Sequence, residues 1–197
     1  MFMTQQVAWP VTVDMGLIRK RVHAIMSKLS TEFPETERYL NSVCYRDEVP
    51  SEEVQDRIRA RVFELVESDG HLEEFPDFQN RTSAGILTQY LLDEIFGFGP
   101  LGPVLRDPTV CDILVDGPDS VYVLRDGGYE KAAVFFENTE HLLLTMSKIL
   151  RPLGCELTEE TPTVQTLLPN GSWVVAALPP KSTPQHNPTF FIRAARK

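Results

Sequence analysis

The chain has 197 residues, 42% of them hydrophobic, and a formal net charge of −9. That is enough for one domain or two small ones with a buried core, and the charge argues against nucleic acid or an anionic membrane as the main partner. No stretch approaches the roughly 20 apolar residues of a membrane helix, and the N-terminus lacks the basic-then-apolar pattern of a signal peptide.

Residues 1–13 show no period. Asp14 is placed to cap a helix whose face is Leu17, Ile18, Val22, Ile25, Met26 and Leu29, at 3.6-residue spacing. A shorter helix is expected over 35–44, with Tyr39, Leu40 and Val43 inward. A third starts after Pro50 with Ser51 as cap and acidic residues in its first turn, where the helix dipole favours them. Its face is Val54, Ile58, Val62, Leu65 and Val66, and Gly70 is its stop. These make residues 1–70 a small helical bundle. Residues 71–81, acidic and holding Pro76, read as a linker, and 82–197 as an α/β domain.

Thr82 or Ser83 is expected to cap a helix carrying Ile86, Leu87, Tyr90, Leu91 and Ile95. Gly97 and Gly99 stop it, since glycine costs about 1 kcal/mol inside a helix and accepts the left-handed cap geometry. Pro100 prevents resumption. Gly102 to Leu105 has room for one helical turn, and Asp112 to Val115 is a short apolar strand ended by Asp116-Gly117-Pro118-Asp119. Ser120 to Leu124 and Tyr129 to Phe136 read as a hairpin about Asp126-Gly127-Gly128. Asn138 or Thr139 caps a helix with Leu142, Leu143, Met146, Ile149 and Leu150 inward, ended by Pro152 and Gly154. Val164 to Leu168 and Trp173 to Leu178 flank Pro169-Asn170-Gly171, the strongest hairpin signal in the chain. Thr189 to Ala194 is a last strand.

Asp93-Glu94-Ile95, Gly97-Phe98-Gly99-Pro100-Leu101, Asp112-Ile113-Leu114-Val115-Asp116-Gly117-Pro118 and Val121-Tyr122-Val123 stand in one ordered series. The series resembles the signature of the Tad (Flp) pilus assembly ATPases, within the type II/IV secretion ATPase family. The resemblance extends more weakly from about Asp14 to Lys197. A motor of that family needs a GxxxxGK[ST] loop to wrap phosphates with backbone N–H groups and place a lysine, and this chain contains no Gly-Lys pair. The chain therefore looks like the region preceding the motor. The fold implied is α+β: a helical bundle, then a mixed, largely antiparallel sheet with a packed helix, of the PAS-like kind the family places over its nucleotide site.

The C-terminal hairpin departs from the family pattern. Gln165, Leu167 and Trp173 stand where the family carries an aspartate and two arginines, Val175 replaces an asparagine, and Ala194 replaces the second arginine of the final pair. The resemblance implies that Arg193 and Arg196 are the nucleotide-contact candidates left. Trp173 and the basic triplet Arg19-Lys20-Arg21 are candidates for an interaction surface, the triplet reading equally as a solvated face. Val164, Leu167, Leu168, Trp173, Val174, Val175 and Leu178 form either a core covered on both faces or an exposed apolar contact surface.

Other chemistry is thin. Gly97 to Gly102 matches GxGxxG, but it follows a helix instead of a strand, and Pro100 removes an N–H that pyrophosphate would need. Cys44, Cys111 and Cys155 are odd in number and lack any CxxC, the pattern of a reducing, cytosolic setting. His23, His71, His141 and His186 have no partner at metal-ligand spacing. Glu73-Glu74 and Glu159-Glu160 are adjacent acids that seldom converge. No catalytic residue and no metal site are expected.

The function implied by the resemblance is a non-catalytic assembly or regulatory region. It would dock secretion or pilus machinery, a motor domain or neighbouring subunits, at the cytoplasmic face of the inner membrane, with ATP and magnesium belonging only to a full-length motor. A free-standing adaptor for such a motor or for a membrane platform, and a small-molecule sensor, are the alternatives; fold analogy alone supports the sensor.

Overall fold

A computed structural model of the chain describes residues 15–34, 51–69, 81–180 and 186–195, the side chains of 15–19, 81–83 and 86 excepted. The helix expected over 35–44, the cap at Asp14, the stop at Gly70 and nearly all of the linker lie outside the described residues. The chain divides into two compact units, with the described helices before Gly99 in one and everything from Pro100 in the other.

The first unit packs α1 (Met15–Glu32), α2 (Glu52–Glu67) and α3 (Arg81–Phe96) against one another. Helix α3, read from sequence as the opening of the second domain, thus belongs with the first two. It already runs at Arg81, which puts Thr82 and Ser83 inside its first turn instead of at its cap. Ile25, Leu29, Ile58, Val62, Leu65, Val66, Leu87, Leu91 and Ile95 are buried, the 3.6-residue stripes that make a bundle core. Ser51 caps α2 as expected, its hydroxyl accepting from Val54 N–H. On the rim, Arg61 of α2 forks both carboxylate oxygens of Glu32 on α1, at 2.7 and 2.9 Å. Helix α3 ends where the glycines predict: Gly97 N–H returns to the Asp93 carbonyl at 3.0 Å.

A 3-10 turn, Gly99–Leu101, spans the boundary in sequence, and the one-turn helix α4 (Gly102–Arg106) follows it. Six strands follow, β1 (Asp112–Asp116), β2 (Val121–Arg125), β3 (Gly128–Lys131), β4 (Thr163–Leu167), β5 (Trp173–Ala177) and β6 (Thr189–Arg193), with α5 (Thr139–Leu150) between β3 and β4. The sheet order is β3-β2-β1-β6-β5-β4, and every neighbouring pair is antiparallel. The architecture is α+β as expected, helices first and sheet second, and the largely antiparallel sheet is antiparallel at every pair.

Each hairpin follows from its turn residues. Gly117 has φ +81°, and a Cβ there would come within 2.5 Å of the Asn187 side chain, so only glycine fits. Gly171 has φ +84°, and Asn170 Oδ1 accepts from Ser172 N–H at 3.0 Å, closing the Pro169-Asn170-Gly171 turn. The α4–β1 turn is held by Asp107, which accepts from the Thr109 N–H and hydroxyl at 2.9 and 2.7 Å and from Arg125 at 2.7 Å. Burial pushes this carboxyl up, but those hydrogen bonds outweigh it and hold it below its ordinary value.

Strand β3 stops at Lys131 instead of running to Phe136. Ala132 N–H still reaches the Val121 carbonyl, but the chain then leaves the edge, and Phe136 N–H bonds the Pro118 carbonyl. The gain is burial: Phe136 is a core residue, which an edge strand exposed throughout could not achieve. Asn138 caps α5 by accepting from His141 N–H at 2.8 Å. The inward side of α5 is Leu142, Thr145, Met146, Ile149 and Leu150, with Leu143 only half-buried.

Along the strands, burial alternates. Val121, Val123, Ile113, Val115, Phe190, Ile192, Val174 and Ala176 share one face by register and are all buried. This inner face and the apolar side of α5 hold the unit's core. Phe190→Ala is expected to destabilise the chain by about 3–5 kcal/mol, read as a lowered denaturant midpoint in circular dichroism. Trp173→Ala, on the other face of the adjacent strand, is expected to cost under about 1.5 kcal/mol.

Candidate interaction surface

The second face of the sheet is assembled by register alone. Tyr129, Leu124, Asp112, Arg193, Trp173 and Leu167 lie side by side across all six strands. Beside them runs a second row, Lys131, Tyr122, Leu114, Phe191, Val175 and Gln165. Leu167 is 61% exposed, Tyr129 55% and Trp173 38%, while Leu124, Tyr122, Leu114, Phe191 and Val175 are half-buried. The surface is therefore apolar, aromatic and accessible.

Its centre is an ion pair. Arg193 Nε donates to Asp112 Oδ1 at 3.0 Å and Nη2 to Oδ2 at 3.1 Å, a bidentate fork between β6 and β1. The Asp112 side chain is only 6% exposed and that of Arg193 59%, so the guanidinium lies over a buried carboxylate and turns its remaining donors outward. The hydrogen bonds and charge of Asp112 push the Arg193 group further up from its ordinary value. Phe191, two residues earlier on the same face, sits under the guanidinium, its ring centre 5.5 Å from Cζ. Trp173 meets Phe191 edge to face at 6.2 Å between centroids. Phe191 thus contacts both the guanidinium and the indole.

The sequence candidates separate in space. Arg193 and Trp173 are cross-strand neighbours at the centre of this face. Arg196 and the Arg19 side chain lie outside the described residues. Lys20 is exposed on α1, while Arg21 is largely covered and points to Asp69, 3.9 Å away; the triplet is not one uniform outward patch. Asp112, Phe191 and Tyr129 were not singled out from sequence as surface residues. The period-2 alternation of Thr189 to Arg193 already put Phe191 beside Arg193, but Asp112 required the register of two strands far apart in sequence. Among the described residues, no group of histidine, cysteine and carboxylate side chains is arranged to hold a metal, and no helix is long and apolar enough to cross a membrane.

A bundle of helices ahead of a six-stranded antiparallel sheet, with one buried and one accessible face, defines the class of chain this is. No family model matches it, and no curated protein matches it. Among solved structures it is similar to the VirB11 ATPase from the Brucella suis type IV secretion system, crystallised in complex with sulphate. The two are 24% identical at a TM-score of 0.43, over 50% of this chain and 30% of that one. The match thus spans under a third of the VirB11 chain's length.

Removing Arg193 leaves a buried carboxylate without its partner, which costs more than the pair itself contributes. Arg193→Ala is therefore expected to lower the denaturant midpoint, and adding Asp112→Asn to that variant to recover part of the loss. Equal midpoints for the single and double variants would show that the pair does not govern this face.

Proposed function

We propose that this chain is a non-catalytic assembly and regulatory region of the type II/IV secretion ATPase kind, nearest in its motif residues to the Tad (Flp) pilus ATPases. It docks protein partners of the secretion or pilus machinery at the cytoplasmic face of the inner membrane. In a full-length subunit it would cover the nucleotide site, and ATP and magnesium would belong to that subunit's motor.

The observation that carries the reading is the accessible row Tyr129, Arg193, Trp173 and Leu167. Tryptophan, tyrosine and arginine are the residues that dominate protein contacts, and here they are fixed on sheet strands instead of floating on loops. The family-like motif supports it from another side, since its residues serve folding. Leu101, Ile113, Val115, Val121 and Val123 are core, Gly97 closes a helix and Gly117 makes a turn no other residue fits. Arg193, the one nucleotide-contact candidate among the described residues, has two of its donors committed to Asp112, and Trp173 offers phosphate one neutral donor in place of a cationic fork.

Purified chain is expected to release no phosphate from ATP in a steady-state assay. Calorimetric titration with Mg-ATP is expected to give a Kd no tighter than about 1 mM. Light scattering at micromolar concentration is expected to show monomers or weak dimers, because the closed ring of the resembled motors draws much of its interface from the motor domain. Turnover that scales with protein, a micromolar Kd abolished by Arg193→Ala, or a stable hexamer would each contradict the reading.

A further inference from the structure

The two edges of the sheet are built differently. Strand β3 is four residues long, starts at a glycine with φ +127° and carries Glu130 and Lys131, with Glu130 paired to Arg125. Short length and charge are the usual defences of a sheet edge. Strand β4 is about as short but lacks the charge: Thr163-Val164-Gln165-Thr166-Leu167 holds no charged residue.

The hydrogen-bond phase of β4 is fixed by its hairpin. Leu168 N–H bonds the Ser172 carbonyl and Leu178 N–H the Pro162 carbonyl, each at 2.8 Å. Counting in twos from these, Thr166 and Val164 turn their backbone groups toward β5, and Thr163, Gln165 and Leu167 turn theirs away. No hydrogen bond is made by those outward groups among the described residues. The same three residues put their side chains on the accessible face, and all three are exposed.

We propose that β4 is a self-association edge, at which a second copy of this chain pairs antiparallel across a two-fold axis at Gln165. Gln165 then faces Gln165 of the second copy and Thr163 faces its Leu167, which satisfies the outward N–H and C=O groups of all three residues on both copies. A charged strand would oppose like charges across such an axis; this one opposes two neutral amides. Leu167, the most exposed large apolar side chain of the row, gains a threonine neighbour on its open side and continues the row Trp173–Leu167 into the second copy. The pairing buries well under the ~800 Å² per partner of a standard interface, so the dimer is weak and concentration-dependent. It uses the edge of the sheet and leaves the face of Trp173 and Arg193 open.

Sedimentation velocity on the full chain tests this, over a concentration series spanning micromolar to submillimolar protein. The wild type is expected to move from its monomer mass of 22.3 kDa toward twice that. Gln165→Lys and Gln165→Glu should each weaken the dimer at least tenfold while leaving the circular dichroism spectrum unchanged, since this side chain is exposed and its N–H makes no bond within the sheet. An equimolar mixture of the two variants should dimerise again, because residue 165 faces its own copy. A wild type that stays monomeric throughout overturns the proposal. So does a mixture that stays monomeric, an open-ended polymer, or a dimer abolished by Trp173→Ala and untouched by the changes at Gln165.

Discussion

The pairing of β6 with β1 holds the second unit together. Strands β1, β2 and β3 form a meander through local turns, and β4 and β5 a separate hairpin. The two-stranded hairpin is too small to stand alone in water. Strand β6 enters last in sequence and lies between them, bonded to β1 on one side and β5 on the other. That contact joins residues 81 positions apart at Asp112 and Arg193, so its loop-closure cost is high and it must be rewarded on both faces. Below, Phe190 and Ile192 complete the buried row; above, the Arg193–Asp112 fork fixes the register. A slip of one residue would bury Arg193 and expose Phe190 and Ile192, which is why the register is unambiguous.

The accessible face follows from the same register. Asp112 can be buried on a surface otherwise open to water because Arg193 lies across it, and Arg193 in turn lies over Phe191, which Trp173 meets edge to face. Preorganised side chains lose little freedom when a partner arrives. The face thus combines accessible aromatic area with low ordering cost, which are the properties of a docking surface. Strand β4, uncharged at the rim, offers a further kind of contact, hydrogen bonding along an edge.

Much of this was legible in the residues. Local chemistry named the caps Ser51 and Asn138, the helix stop at Gly97, the turns at Gly117, Gly128 and Gly171, and nearly every strand. It failed where a distant contact decided. Phe136 continues an apolar run that suggests a longer β3, yet it leaves the edge to be buried. Thr82 and Ser83 look like caps, yet the described helix already includes them. The hairpin residues read either as a core covered on both faces or as an exposed contact surface, and the structure covers one face alone: Leu168 and Val174 are core, while Leu167 and Trp173 are surface. Period 2 was visible in the sequence, but which phase faced inward depended on β6. The same non-local pairing hid the role of Asp112.

One face of this sheet is apolar and open. Fluorescence of Trp173, isolated by Trp9→Phe in the full chain, measures it directly. A side chain 38% exposed should emit at longer wavelength than a buried indole and be quenched by acrylamide in the native state, with a modest further gain on unfolding. A blue-shifted emission, protected from acrylamide until the chain unfolds, would mean that this face is covered and would contradict the account.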